Sequence, residues 1–269
     1  ENPDMKPFLR FWNLLAIFTL AASGLAWPPL SASADNTPRT LPFAQNWADT
    51  GLIIGVDNWS GVPGIIGYRG DNLTASSGTD PQTILAADDA GVVDVIPNQT
   101  AVALTDGGVA EFEIADPVVA LQGSGTADAP YLLIFLNAAG MENIQVSYLV
   151  RDIDSTSDDA VQQVALQYRA GGSGSFTNVP AAYLADATIV GAIQSTPVSV
   201  TLPADANDQP LLQLRIMTSN AAGVDEWVGI DDISISGTAS GDPAPYVSAT
   251  SPANNASGVA LNANISITF

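Results

Sequence analysis

Apolar residues along this chain recur with a period of two over short runs. Clusters of Gly, Pro, Asn and Asp separate the runs. That rhythm predicts strands and turns rather than amphipathic helices. Candidate strands fall at 64–68, 109–114, 131–136, 143–150, 161–168, 197–202, 211–217 and 226–236. In 143–150, Ile144, Val146, Tyr148 and Val150 share one face and Gln145 and Ser147 take the other. In 211–217, Leu212, Leu214 and Ile216 oppose Gln213 and Arg215. One wet face per strand predicts an all-β protein of two antiparallel sheets packed face to face. The small-residue stretches "GSGTADAP" (123–130) and "AGGSGS" (170–175) are expected to be hairpin loops. The second is not a phosphate loop, because no Lys follows it and no helix is predicted.

The last of these runs, "EWVGIDDISIS", breaks its own rhythm. Val228 and Ile230 point to one face, whereas Ile233 and Ile235 have the opposite parity. Either a bulge shifts the phase at Asp231 and Asp232, or both faces are covered there.

Composition removes several kinds of chemistry. The chain has 269 residues, no Cys, no His and a formal charge of −21. Thiolate catalysis, disulfides and zinc–thiolate sites are excluded, and so are the commonest general base and transition-metal ligand. A metal here is expected to be a hard cation held by oxygen, with structural Ca2+ the first candidate. The negative charge argues against direct binding of nucleic acid or an anionic membrane by this segment.

The chain reads as a series of segments. Residues 1–34 resemble an export signal: Met5, Lys6 and Arg10 precede the apolar stretch 13–26, and "ASA" at 32–34 offers a cleavage site. That stretch is shorter than the roughly 20 residues of a membrane span, so no membrane association is expected once the signal is removed. The expectation is a secreted, extracellular or cell-surface bacterial protein. A lead-in covers 35–46, a β-sandwich 47–237, and a Gly/Pro-bearing linker 238–245. Residues 246–269 are expected to open a second, incomplete β domain with further domains of the same chain downstream.

Several segments resemble known secreted modules. "YLLIFLNAAGMENIQVSYLVRDID", "VQQVALQYRAGGSGSFTNVPAAY" and "LLQLRIMTSNAAGVDEWVGIDDISISG" together resemble a jelly-roll module, similar to concanavalin-like and galactose-binding-like sandwiches. "DNWSGVPGIIGYRGD" and "ALQGSGTADAPYL" resemble the version at the N-terminus of extracellular nucleases of the endonuclease/exonuclease/phosphatase family. "APYVSATSPANNASGVALNANISITF" resembles the start of an Ig-like domain of the S-layer-associated type. The resemblance implies a non-catalytic accessory module that binds carbohydrate or a cell-surface polymer, or acts as a spacer. The alternative it carries is the front of a secreted nuclease. The catalytic domain of that family relies on histidines, so it would lie outside this chain.

Four sets of residues are candidates for chemistry. Asp152, Asp154 and Asp158 stand in "DIDSTSDD" with the spacing of the first EF-hand ligands, but Ser157 and Gln163 replace the Gly and Glu that loop requires. Asp231 and Asp232 complete the candidate metal ligands. A buried Asp there needs Arg215, Arg151, backbone N–H groups or a cation. By analogy with lectin-like sandwiches, calcium could staple that edge. Trp47, Trp59, Tyr68, Tyr183 and Trp227 are aromatic, and a ring can stack on the C–H face of a sugar. Trp59, Tyr68 and Trp227 are the chosen ligand-binding candidates, with core packing as the rival role. Finally, Glu111, Glu113 and Asp116 resemble the carboxylate strand of jelly-roll glucanases with its second and third acids exchanged. That order argues for an ordinary strand, and no catalytic residue is assigned.

Overall fold

A computed structural model describes residues 34–87, 91–104, 106–154, 160–188, 194–241 and 246–268. Residues 1–33 of the export-signal segment and Asp158 lie outside these residues. In chain order the strands are β1 (Arg39–Thr40), β2 (Phe43–Gln45), β3 (Ile65–Tyr68), β4 (Ile96–Gln99) and β5 (Gly108–Phe112). They continue as β6 (Val118–Gln122), β7 (Tyr131–Asn137), β8 (Met141–Asp152), β9 (Ala165–Ala170) and β10 (Thr177–Asn178). Then come β11 (Ser195–Thr201), β12 (Leu212–Met217), β13 (Val228–Ala239), β14 (Ala249–Ser251) and β15 (Ser266–Thr268). Among the described residues the only helical elements are three single 3-10 turns, and no helix is long and apolar enough to cross a membrane.

Eight of the strands form the frame. One sheet contains β6–β13–β8–β11 and the other β7–β12–β9–β10, every neighbour antiparallel. From β6 to β13 the chain alternates between the sheets except at the β9–β10 hairpin. This is the strand order of a jelly roll, two interlocked Greek keys wrapped into a sandwich. The loop at 123–130 therefore crosses between sheets and is not a hairpin, whereas 170–175 does join the paired strands β9 and β10. One hydrophobic cluster fills the space between the layers. It takes Leu132, Ile134, Leu214 and Ile216 from one sheet and Val146, Val150, Ile230 and Ile235 from the other.

The remaining strands trim the edges. β3 and β1 both lie along β7, β1 in parallel. β5 pairs with β6, and β4 runs parallel to β5 at the sheet edge. β2 pairs with the later half of β13, so the residues predicted as a lead-in are woven into both sheets. β13 runs through Ala239, past the expected end of the sandwich at residue 237. β14 and β15 form a separate two-stranded sheet whose residues are all exposed.

Strands with one wet face occur as expected in β8, where Ile144, Val146, Tyr148 and Val150 are buried and Asn143 and Gln145 exposed. β6, β7 and β12 differ, because both their faces are covered. On β12 the polar residues Gln213 and Arg215 are buried beneath the segment Thr79–Ala86 and the Phe176 ring. On β6, Val119 and Leu121 enter the main core, while Val118 and Ala120 pack on Trp227 and Ile153 in a second cluster.

The phase slip in β13 is a bulge. Asp231 pairs with Leu149 and Ser234 with Ser147, so β13 carries one extra residue between them. Asp232 takes the slack with a left-handed φ of 48°, and Ile230 and Ile233 then face the same core.

Candidate functional site

A cleft of about 430 Å3 opens at one end of the sandwich. β6 and β8 end there, β13 begins there, and the segment 102–104 closes one wall. Val102, Leu104 and Val224 give it an apolar lining; Gln122, Asp154 and Asp225 give it polar groups. Its size falls within the usual range for a small-ligand site, roughly 300–1,000 Å3.

Local packing fixes each wall. The Trp227 ring is fully buried edge-on to Phe112 (5.2 Å between centroids) and donates Nε1–H to the Leu104 carbonyl at 3.2 Å. This ties the apolar wall to the start of β13. Gln122 Nε2 donates to the Asp225 carbonyl at 2.8 Å, and Asp225 Oδ1 accepts the Ala221 N–H at 2.6 Å. The 220–225 loop therefore lies directly against the end of β6. A Cβ on Gly123 would collide with Asn220 and the Asp225 carboxylate, so this close approach requires glycine.

The two carboxyl groups are held differently from ordinary surface acids. Asp154 Oδ2 accepts the Trp227 N–H at 3.3 Å, and Oδ1 has no hydrogen-bond partner among the described residues. Burial pushes the Asp154 carboxyl up to about 6; the Trp227 N–H opposes this and neighbouring Asp152 adds to it. Burial also raises the Asp225 carboxyl, against the pull of the Ala221 N–H. Such groups can accept hydroxyl or N–H donors, and a protonated Asp154 can donate one. Ser124, also in the lining, meets Thr126 Oγ1 at 3.3 Å rather than a base.

The sequence-derived candidates scatter. Trp59 is fully buried, donates to the Asp94 carbonyl at 3.0 Å and packs edge-on against Trp47. Trp227 is the buried floor of the second cluster. Neither ring is exposed for a sugar to stack on, because each indole N–H finds a carbonyl only inside the fold. Tyr68 is half-buried and stacks on Tyr131 at 5.0 Å, away from the cleft. Glu111 is 2% exposed, held by the Asn98 N–H at 3.1 Å, and is not part of the lining of this cleft.

Among the described residues the candidate metal ligands do not gather at one point. Asp231 is buried with Arg151, whose Nη1 donates to its Oδ2 at 2.6 Å; Asp231 Oδ1 also accepts the Asp232 N–H at 2.7 Å. Arg151, rather than Arg215, is thus the counter-charge for the bulge. Asp232 is exposed beside a shallow depression of about 380 Å3. Asp152 sits opposite Val228, three residues from Asp231 along β13. Among the described residues no group of three or more acids gathers as a cation would require. Sequence reasoning missed Asp225, Gln122 and Val224. Val224 and Asp225 stand in the Gly-Val-Asp run before Glu226, which resembles any other loop until β6, ending at Gln122, is placed beside it.

No protein-family model matches this chain, and no curated protein matches it. Solved structures do match. A carbohydrate-binding module specific for non-crystalline cellulose, CBM28, is 13% identical over 51% of this chain and 88% of its own, with a TM-score of 0.36. The K2 cleaved adhesin domain of Lys-gingipain is 14% identical over 62% and 97%, with a TM-score of 0.34. A cyclase from Fischerella sp. TAU is 12% identical over 73% and 95%, with a TM-score of 0.36. Likeness at this level assigns no function, and these three span binding, adhesion and catalysis. The jelly-roll assignment stands on the strand order.

Proposed function

We propose that this chain is a non-catalytic, extracellular binding module that holds a neutral saccharide in the cleft between β6, β8 and β13. The cleft itself carries the reading. Aliphatic side chains at Val102, Leu104 and Val224 suit the C–H faces of a sugar, and Asp154, Asp225 and Gln122 offer acceptors and donors for its hydroxyls. An anionic saccharide is disfavoured because no Arg or Lys is among the lining residues. Residues 34–268 contain five arginines and no lysine, and every arginine is engaged within the fold. Arg39 and Arg69 pair with Asp35 and Asp71, and Arg151 with Asp231. Arg169 and Arg215 bond Gln213 and Gln167 on the outer face of the second sheet. The same distribution supports the absence of direct nucleic-acid binding.

The 246–268 ribbon is read as the opening of an Ig-like neighbour. Exposure of Tyr246, Leu261 and Ile265 supports this, since a completed sandwich would cover such residues. The export signal remains the basis for placing the protein outside the cell.

Titration calorimetry against soluble β-glucans, galactans and xylans tests the cleft. Val224→Asp and Asp225→Asn should each lower affinity at least tenfold while leaving the far-UV spectrum unchanged. Binding unaffected by both substitutions, or no binding to any neutral glycan, overturns the proposal.

A further inference from the structure

The seam between β4 and β5 is closed in an unusual way. β4 is the edge of its sheet and runs parallel to β5, with a register shift between the Ile96–Ala110 and Gln99–Phe112 pairs. Asn98, inside the shift, has a left-handed φ of 55°. Where the main-chain ladder is irregular, two carboxylates cross the seam in opposite directions. Asp94, just before β4, accepts the Val109 N–H of β5 at 2.6 Å. Glu111, on β5, accepts the Asn98 N–H of β4 at 3.1 Å. Both side chains are buried, Asp94 at 9% exposure and Glu111 at 2%. Backbone bonds flank them: the Asp94 N–H donates to the Gly67 carbonyl at 3.0 Å, and the Glu113 N–H to the Gln99 carbonyl at 2.7 Å.

We propose that Asp94 and Glu111 form a proton-controlled latch on this edge strand, closed when the two carboxyls are protonated and loosened when both are ionised. A neutral carboxyl keeps a carbonyl oxygen to accept its N–H and bears no charge to desolvate. An ionised one must keep its charge out of water with a single backbone donor for compensation. Peeling β4 away hydrates Glu111 without breaking another strand pairing of β4, and hydrating Asp94 also frees the stretch before β4 from the Gly67 carbonyl and from the Tyr68–Val93 bridge on β3.

The surroundings agree. Burial pushes the Glu111 carboxyl up to about 7, and Glu113 on the same strand adds to it against the Asn98 N–H. Burial pushes Asp94 up to about 6; Asp57 and Asp71 add to this, while the Val109 N–H and Arg69 oppose it. In the open form both acids return to ordinary carboxyl behaviour. The closed form then binds more protons, so opening is favoured as pH rises from about 4 through about 7.

Amide hydrogen exchange read by NMR across pH 5 to 8, corrected for intrinsic exchange, tests the latch. Protection of the Asn98 and Val109 amides should fall roughly ten- to hundredfold with rising pH, and at every pH it should lie well below that of Leu214 in the central strand β12, which opens only with the whole fold. Glu111→Gln should remove most of the pH dependence at Asn98, and Asp94→Asn most of that at Val109. If either variant fails to fold, the other reads the same seam, and the wild-type profile stands by itself. Flat protection at both amides in the wild type, protection there as high as at Leu214, or an unchanged profile in a folded variant overturns the latch.

Discussion

The outer face of the β7–β12–β9 sheet and the β4–β5 rim both bury charge, and they satisfy it differently. On the first, Arg215 is fully buried. It donates to Gln167 Oε1 at 2.9 Å, to the Ala86 carbonyl at 3.1 Å and to the Ile84 carbonyl, and it lies 3.9 Å over the Phe176 ring. Gln167 in turn donates to the Pro81 and Ile84 carbonyls, so side chains and the crossing segment hold each other. On the rim, Asp94 and Glu111 each have one backbone N–H partner across the seam. The difference teaches that a densely bonded buried cation fixes structure, whereas a buried acid with one donor is left poised to titrate.

The largest test of that contrast is Arg215→Ala. It strips donors from Gln167, Ile84 and Ala86 and opens the space beside Phe176. Urea unfolding should show a loss of roughly 3 kcal/mol or more. A change below about 1 kcal/mol would mean that the network does not hold the segment.

A smaller effect is expected from pH. Asp94, Glu111 and Asp154 all have raised carboxyl pKa values, so the folded state binds more protons than the unfolded one above about pH 4. Their stabilising contribution is present below the ordinary carboxyl range and is lost as pH rises through about 6 to 7. Tm should therefore be about 5 °C higher at pH 5 than at pH 8, and Glu111→Gln should flatten the slope. A Tm that rises between these pH values would reverse the sign and break the comparison.

The smallest effect concerns the acid that does have a cation. Asp231→Asn keeps an acceptor for the Asp232 N–H but removes the charge facing Arg151, whose other acidic partner, Asp116, is largely exposed. A loss of about 1–2 kcal/mol is expected in urea unfolding. Melting the wild type in EDTA then asks whether Asp152 and Asp154 have a cation of their own. A fall in Tm supports bound calcium there, and an unchanged Tm removes it.

Much of the frame was legible because local periodicity reports local geometry. The β8 alternation survives folding unchanged, and the parity slip at Asp231 and Asp232 announced the bulge. What covers a strand was not legible. Gln213 and Arg215 read as a wet face, but Ile84 and Ala86, about 130 residues earlier, supply carbonyls to Arg215. β6 was passed over because "VVALQ" is a short run buried on both faces, with no alternation to mark it. Trp59 sits in an Asn-Trp-Ser-Gly loop that suggests exposure, yet its indole is consumed by the Asp94 carbonyl. The cleft was invisible for the same reason: its walls come from four stretches that only the jelly-roll crossings bring together.

The placement of β2 also sets a sequence of events in time. Residues 43–45, among the first of the sandwich to leave the ribosome, dock on β13, and β13 is also the strand between β8 and β6. The β6–β13–β8–β11 sheet cannot close until Val228–Ala239 has been synthesised, so β2 waits for its partner while every strand from β3 to β12 is made.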